Sequence, residues 1–231
     1  MGSRKHLNAL LAVIGAGVLL ACGGGGGGGA SQSPTTVRVI QSVDGAPPVN
    51  VFLAGTLFAG NLVYPNSGQI ETAPGNKPLS INLADPPGPI YDQTIDLPPG
   101  QIVTAIAVGA FTSVNVDLVA DPRRAPSAGN VNFRVFHAAP LTQPVNISVY
   151  PAGGSPSAAV VSMTNVEQRA VTPLTSVAAG NYRVRVTGVT SGTQIADVPI
   201  TLVAGRISYA LVQGGPEGIV DTVVRLYEIT P

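Results

Sequence analysis

The sequence predicts an all-β chain built as two tandem antiparallel β-sandwiches, and three observations predict it. Short runs rich in Val, Ile and Thr alternate with turn residues, with 28 glycines and 21 prolines among 231 residues. Several runs have period two: Tyr182, Val184 and Val186 point one way while Arg183 and Arg185 point the other. Finally, one half of the chain repeats the other, and nothing after residue 36 has helical periodicity.

The chain opens with Arg4, Lys5 and His6, followed by an apolar run from Leu7 to Ala21. A basic start, a short apolar core and a small residue at its end describe a secretory signal peptide over 1–21. At about 15 residues the run is shorter than the roughly 20 that an α-helix needs to cross hydrocarbon. Its last residues, Leu19-Leu20-Ala21-Cys22, resemble the lipobox of bacterial lipoproteins. That resemblance implies cleavage after Ala21 and a diacylglyceryl thioether on Cys22, with palmitate-type chains entering the bilayer. Cys22 is the only cysteine, so it has no partner for an intrachain disulfide. One acyl chain holds a protein only marginally, at about 0.8 kcal/mol per buried methylene, whereas two or more hold it stably.

Residues 22–36 then read as the lipidated cysteine and a tether, Gly23 to Gly29 followed by Ala-Ser-Gln-Ser-Pro. Such a chain adopts almost any backbone angle and spans about 20 Å end to end. Gly23 stands where an aspartate marks inner-membrane retention in many lipoproteins, so the resemblance points to the outer membrane of a bacterial cell envelope.

The repeat organises the rest. "VRVI" at 37–40 matches "FRVF" at 133–136, and "PVNV" at 48–51 matches "PVNI" at 144–147, at one offset. Further on, "PGNKPLSI" from Pro74 pairs with "AGNYRVRV" from Ala179, and "LPPGQIVTAIAVG" from Leu97 pairs with "LVAGRISYALVQG" from Leu202, at a larger offset. An insertion therefore falls in the second copy between Ile147 and Gly180. The expected organisation is copy one at 37–121, a linker at 122–130 and copy two at 131–231, with about seven strands in each copy. Val49, Val51 and Leu53 should face inward in the first copy, and Val145, Ile147 and Val149 in the second. The pattern leaves immunoglobulin-like and transthyretin-like topologies open.

These motifs, the "VRVI…PVNV" opening, the "GNYxVxV" middle and the late "LxxGxxxTAIAVG", resemble the bacterial domain-of-unknown-function family 4397. The resemblance implies extracytoplasmic β-domains, often in tandem and often on lipoproteins, and it implies no activity. The family usually carries an aspartate in the second strand; here those positions are Asn50 and Asn146.

Charge excludes some classes of partner. Charged residues make up 10% of the chain. With Arg4 and Lys5 cleaved away, ten basic and twelve acidic side chains remain, too balanced to attract nucleic acid. The mature chain holds one histidine, His137, and one lysine, Lys77. A hydrolytic triad would have to use His137; the expectation is instead that His137 and its counterpart Gln41 hydrogen-bond the turns that follow them. Asp85, Asp92 and Asp96 flank a Pro/Gly loop but match no calcium-loop spacing, so they read as solvated acids. Arg38 and Arg134 occupy matching sites and read as exposed strand arginines paired with acids such as Asp117. Tyr182 and Tyr209 fall on apolar faces and read as core, not as a sugar platform.

No catalytic residue, metal site or cofactor is expected. The predicted protein is a lipid-anchored envelope module with a structural or protein-interaction role. The alternative is ligand or glycan binding by sandwich loops, with the insertion around 151–174 as the place to look.

Overall fold

The computed structural model describes residues 32–111, 113–139, 144–214 and 222–231. The residues read above as a signal peptide, Cys22 and the glycine run lie outside these residues. Residues 32–231 form one compact unit.

The first half contains β1 (Thr35–Gln41), β2 (Val49–Leu53), β3 (Thr56–Leu62), β4 (Ser67–Thr72), β5 (Lys77–Leu83), β6 (Gly88–Ile95), β7 (Gln101–Ala110) and β8 (Ser113–Pro122). The second half contains β9 (Asn130–His137), β10 (Val145–Pro151), β11 (Val161–Val166), β12 (Thr175–Ala178), β13 (Gly180–Gly188), β14 (Gln194–Leu202), β15 (Ile207–Gln213) and β16 (Val223–Ile229). Among the described residues each half thus has eight strands, against the expected seven or so. The extra strand in each copy is a short, half-exposed one whose sequence carries little apolar pattern, such as "SGQIET" in β4.

Four four-stranded sheets result, in two pairs with matching order. In the first half β4-β1-β7-β8 forms an inner sheet and β3-β2-β5-β6 an outer one; in the second, β12-β9-β15-β16 is inner and β11-β10-β13-β14 outer. The immunoglobulin arrangement would set the first strand beside the second in one sheet. Here β1 lies between β4 and β7, which leaves the transthyretin-like arrangement of the two. Pairing is antiparallel except for β1 with β7 and β9 with β15, which run parallel in the middle of each inner sheet.

Each pair of sheets encloses its own core. Val37, Val39, Val51, Leu79, Ile81 and Val103 fill the first, and Phe133, Val135, Ile147, Val149, Val184 and Leu202 the second. The inward roles expected of Val49, Val51 and Leu53, and of Val145, Ile147 and Val149, are those observed. A third core goes beyond what the repeat predicts. Ile40, Ile102 and Ile106 from one inner sheet pack against Phe136, Leu211 and Tyr227 from the other. The inner sheets therefore lie face to face, giving the layer order outer, inner, inner, outer.

That stacking explains two kinds of strand in one repeat. β1 and β15 are buried at all seven positions, because Val37 and Val39 serve the sandwich core while Ile40 serves the shared face. Strands covered on both faces read as nearly continuous apolar runs. β2 and β10, with solvent on one side, alternate instead.

The residues added to the second copy fall in two connections. The β10–β11 loop carries a single 3-10 turn, Pro156–Ala158, and the β11–β12 segment carries Arg169. The stretch around 151–174, expected to be loop, is thus partly strand β11 and partly a strap that reaches the first sandwich through Arg169 and Asp117.

Candidate functional site

The buried charged side chains of the described residues gather on the face between the inner sheets. Arg38 leaves β1 on the same side as Ile40 and is 1% exposed. Its Nε and Nη2 donate to Thr104 Oγ1 on the neighbouring β7 at 3.3 and 3.2 Å. Its guanidinium stacks over the ring of Tyr209 from β15, 4.4 Å from the centroid. Arg134, the cross-strand neighbour of Tyr209, lies 5.6 Å from the same ring and pairs with Asp121 of β8. The Tyr209 hydroxyl donates to the other oxygen of Asp121. One carboxylate from the first sandwich therefore ties two groups of the second.

Burial dominates the electrostatics here. It lowers the Arg38 pKa to about 10 against the pull of Asp121, so the guanidinium stays charged at neutral pH. It also lowers Arg134, opposed by Asp121, and raises the Asp121 carboxyl, opposed by Arg134 and Arg38. Desolvating a guanidinium is costly unless partners replace water, and an aromatic face supplies part of that replacement.

Further bonds cross between the sandwiches around this centre. Gln213 Nε2 donates to Ser42 Oγ at 2.9 Å, the Tyr227 hydroxyl to the Pro65 carbonyl at 2.6 Å, and the Tyr64 hydroxyl to the Gly214 carbonyl at 3.3 Å. Arg169 forks onto Asp117, with Nε to Oδ2 at 2.9 Å and Nη2 to Oδ1 at 2.6 Å.

Two sequence expectations are corrected. Arg38 is buried, not exposed, and Asp117 pairs with Arg169 instead. Period-two reading places Arg38 on the polar face of β1 because it cannot see a second sheet covering that face. His137 does not bond the turn after it. Its side chain is fully buried, and neither ring nitrogen has a partner among the described residues; only its backbone bonds, to Arg169 and Ala170. Burial pushes the imidazole pKa down to about 4, so it is neutral at physiological pH. Gln41 does behave as expected, its Oε1 accepting from the Val43 amide at 3.2 Å.

Asn50 and Asn146 acquire a physical role. Asn50 Oδ1 accepts from the Asn61 amide and Asn146 Oδ1 from the Asn165 amide, each at 3.0 Å. Asn61 and Asn165 have φ of 50° and 56°, and the register shifts opposite both asparagines. The side chain thus caps a bulge in the adjoining strand, leaving the amide that the ladder drops with an acceptor. An aspartate could do the same, and charge is not required.

The other candidates stay apart. Asp85, Asp92 and Asp96 are exposed, and among the described residues no three His, Cys, Asp or Glu converge to hold a metal. Asp92 borders a shallow concavity on the outer sheet with Ser80, Asn82 and Pro89. Tyr182 is core, its hydroxyl donating to the Ala178 carbonyl at 2.9 Å.

Comparison with known proteins bears on the same segment. Residues 35–148 match the family described as Domain of unknown function (DUF4397). The resemblance read from the sequence is thus found over this segment. The DUF4397 match starts at β1 and ends within β10. It includes Arg38, Thr104, Asp121 and Arg134 but stops before Tyr209, so it contains one side of the shared face and only part of the other. No curated protein matches the chain. Among solved structures, the chain is similar to one titled "Crystal structure of CBMbc (family CBM26) from Eubacterium rectale Amy13K in Complex with Maltoheptaose". The two are 10% identical over 86% of this chain and 98% of that one, with a TM-score of 0.25. The four-sheet architecture rests on the strand pairing, not on that likeness.

Proposed function

We propose that the protein is a lipid-anchored envelope protein whose paired sandwiches act as one rigid, non-enzymatic head. Cys22 would carry the acyl chains, and the glycine tether would hold the head off an outer-membrane surface. The supporting observation is the buried face between the inner sheets. A third hydrophobic core and a set of cross-sandwich bonds make the two halves a single body. Both outer sheets remain uncovered on opposite sides of it. Such a head is suited to spacing or bridging other envelope components.

The first test is fractionation. Wild-type protein should sediment with membranes and incorporate labelled palmitate, while Cys22→Ala should release it and abolish labelling. Unchanged fractionation of Cys22→Ala would refute the anchoring. The structural role is tested separately in a deletion strain, which should show altered detergent sensitivity restored by the wild-type gene. A strain with an unaltered envelope would count against it.

A further inference from the structure

We propose that the face between the sandwiches binds a small monovalent anion of chloride size beside Arg38. The inference concerns the folded head alone and stands whether or not Cys22 is acylated. Among the described residues three full charges occupy the face: Arg38, Arg134 and Asp121, exposed by 1% for Arg38 and, for the side chains of Arg134 and Asp121, by 11% and 0%. Asp121 is already engaged by Arg134 and by the Tyr209 hydroxyl. A guanidinium does not give up its proton in a protein, so among the described residues two cations face a single carboxylate.

The unspent donors point the same way. Arg38 Nη1 and Arg134 Nε are both buried and have no acceptor among the described residues. The two groups they belong to flank one tyrosine ring, at 4.4 and 5.6 Å. Thr104 supplies Arg38 with a neutral oxygen only. The ring offsets part of the cost of a buried cation, but an uncompensated buried charge is among the costliest things a fold can carry. A halide brings the one missing negative charge and accepts from several N–H donors without a fixed direction. Ile40, Ile106, Phe136 and Leu211, which share this face, are buried and apolar and offer the donors no side-chain acceptor.

A groove lined by Thr36, Gln69, Glu71, Arg123 and Thr230 opens where the edge of the first inner sheet meets the end of β16. Gln69, which lines it, is the cross-strand partner of Arg38.

The test is thermal unfolding of the full chain at constant ionic strength, with gluconate replaced stepwise by chloride or bromide. A ligand that binds only the folded state raises the melting temperature with its concentration. The expected result is a rise of about 3 °C or more in halide, absent in Arg38→Met and retained in Arg183→Met. Should Arg38→Met fail to fold, bromide-soaked wild-type crystals provide the second reading. An anomalous peak within hydrogen-bond distance of Arg38 Nη1 is expected. Equal melting in halide and gluconate, a halide effect that survives Arg38→Met, or a bromide map without a peak at Arg38 would overturn the proposal.

Discussion

The inner and outer sheets descend from the same repeated unit, yet their charged residues live under different rules. On the outer sheet of the second half, Arg183 reaches Asp197 with Nε at 2.8 Å and its carbonyl with Nη2 at 2.9 Å, and the Tyr150 hydroxyl joins Asp197 at 2.9 Å. This constellation of arginine, acid and tyrosine parallels that of Arg134, Asp121 and Tyr209. Arg183 keeps 37% of its side chain in solvent, whereas the inner network has almost none. Water screens the first and is excluded from the second. The same three residue types thus form a marginal surface cluster in one place and an energetically decisive one in the other.

Breaking both clusters in the same way sharpens that contrast most. Asp121→Asn keeps the shape but strands two buried cations and should cost about 3–5 kcal/mol. Asp197→Asn should cost about 1 kcal/mol or less, because solvent replaces what is lost. Urea denaturation of the two variants measures the difference, and equal losses would erase the distinction between the sheets.

His137 offers the next largest effect and a contrast between copies. Its folded pKa of about 4 lies below the ordinary 6.5. The unfolded chain therefore takes up a proton as pH falls through 6.5, while the folded chain refuses it until about 4. Stability from this group is complete above pH 6.5, declines as pH drops towards 4, and levels off below. The loss is about 3 kcal/mol. His137→Gln, which installs the residue found at position 41, should remove this component. Asp121, shifted upward, works in the opposite sense, so the difference between wild type and His137→Gln isolates the imidazole. Stability profiles that superimpose from pH 7 to 4 would contradict the assignment.

The smallest effect concerns the bulge caps, where both copies should respond alike. Asn50→Asp and Asn146→Asp retain the acceptor and should change stability by less than about 0.5 kcal/mol, whereas the alanine variants should lose about 1 kcal/mol. Equal losses for Asp and Ala would show that the oxygen is not what matters.

These residues also mark how far the sequence can be read. The repeat, the sandwich class and the inward faces of β2, β10 and β13 are legible because solvent on one side forces alternation. The pairing of the inner sheets does not emerge from the repeat, although its signal is present. "TAIAVG" in β7 and "SYALVQ" in β15 are continuous apolar runs, the mark of strands covered on both faces. Arg38 hides that signal, since a lone arginine in a strand normally reports water. Asn50 and Asn146 stand out in the sequence only as departures from a family pattern. Their purpose depends on a backbone φ in the neighbouring strand, which no side-chain pattern encodes. Lipidation of Cys22 remains a reading of the sequence, because that residue lies outside the described part of the chain.

The central claim is that the two sandwiches tumble as one body through their inner sheets. Backbone 15N relaxation of the full chain tests it directly, by comparing amides in β2 and β5 with those in β10 and β13. A single rotational correlation time shared by both sets is the predicted result. Two distinct and shorter times, each fitting one sandwich alone, would contradict it.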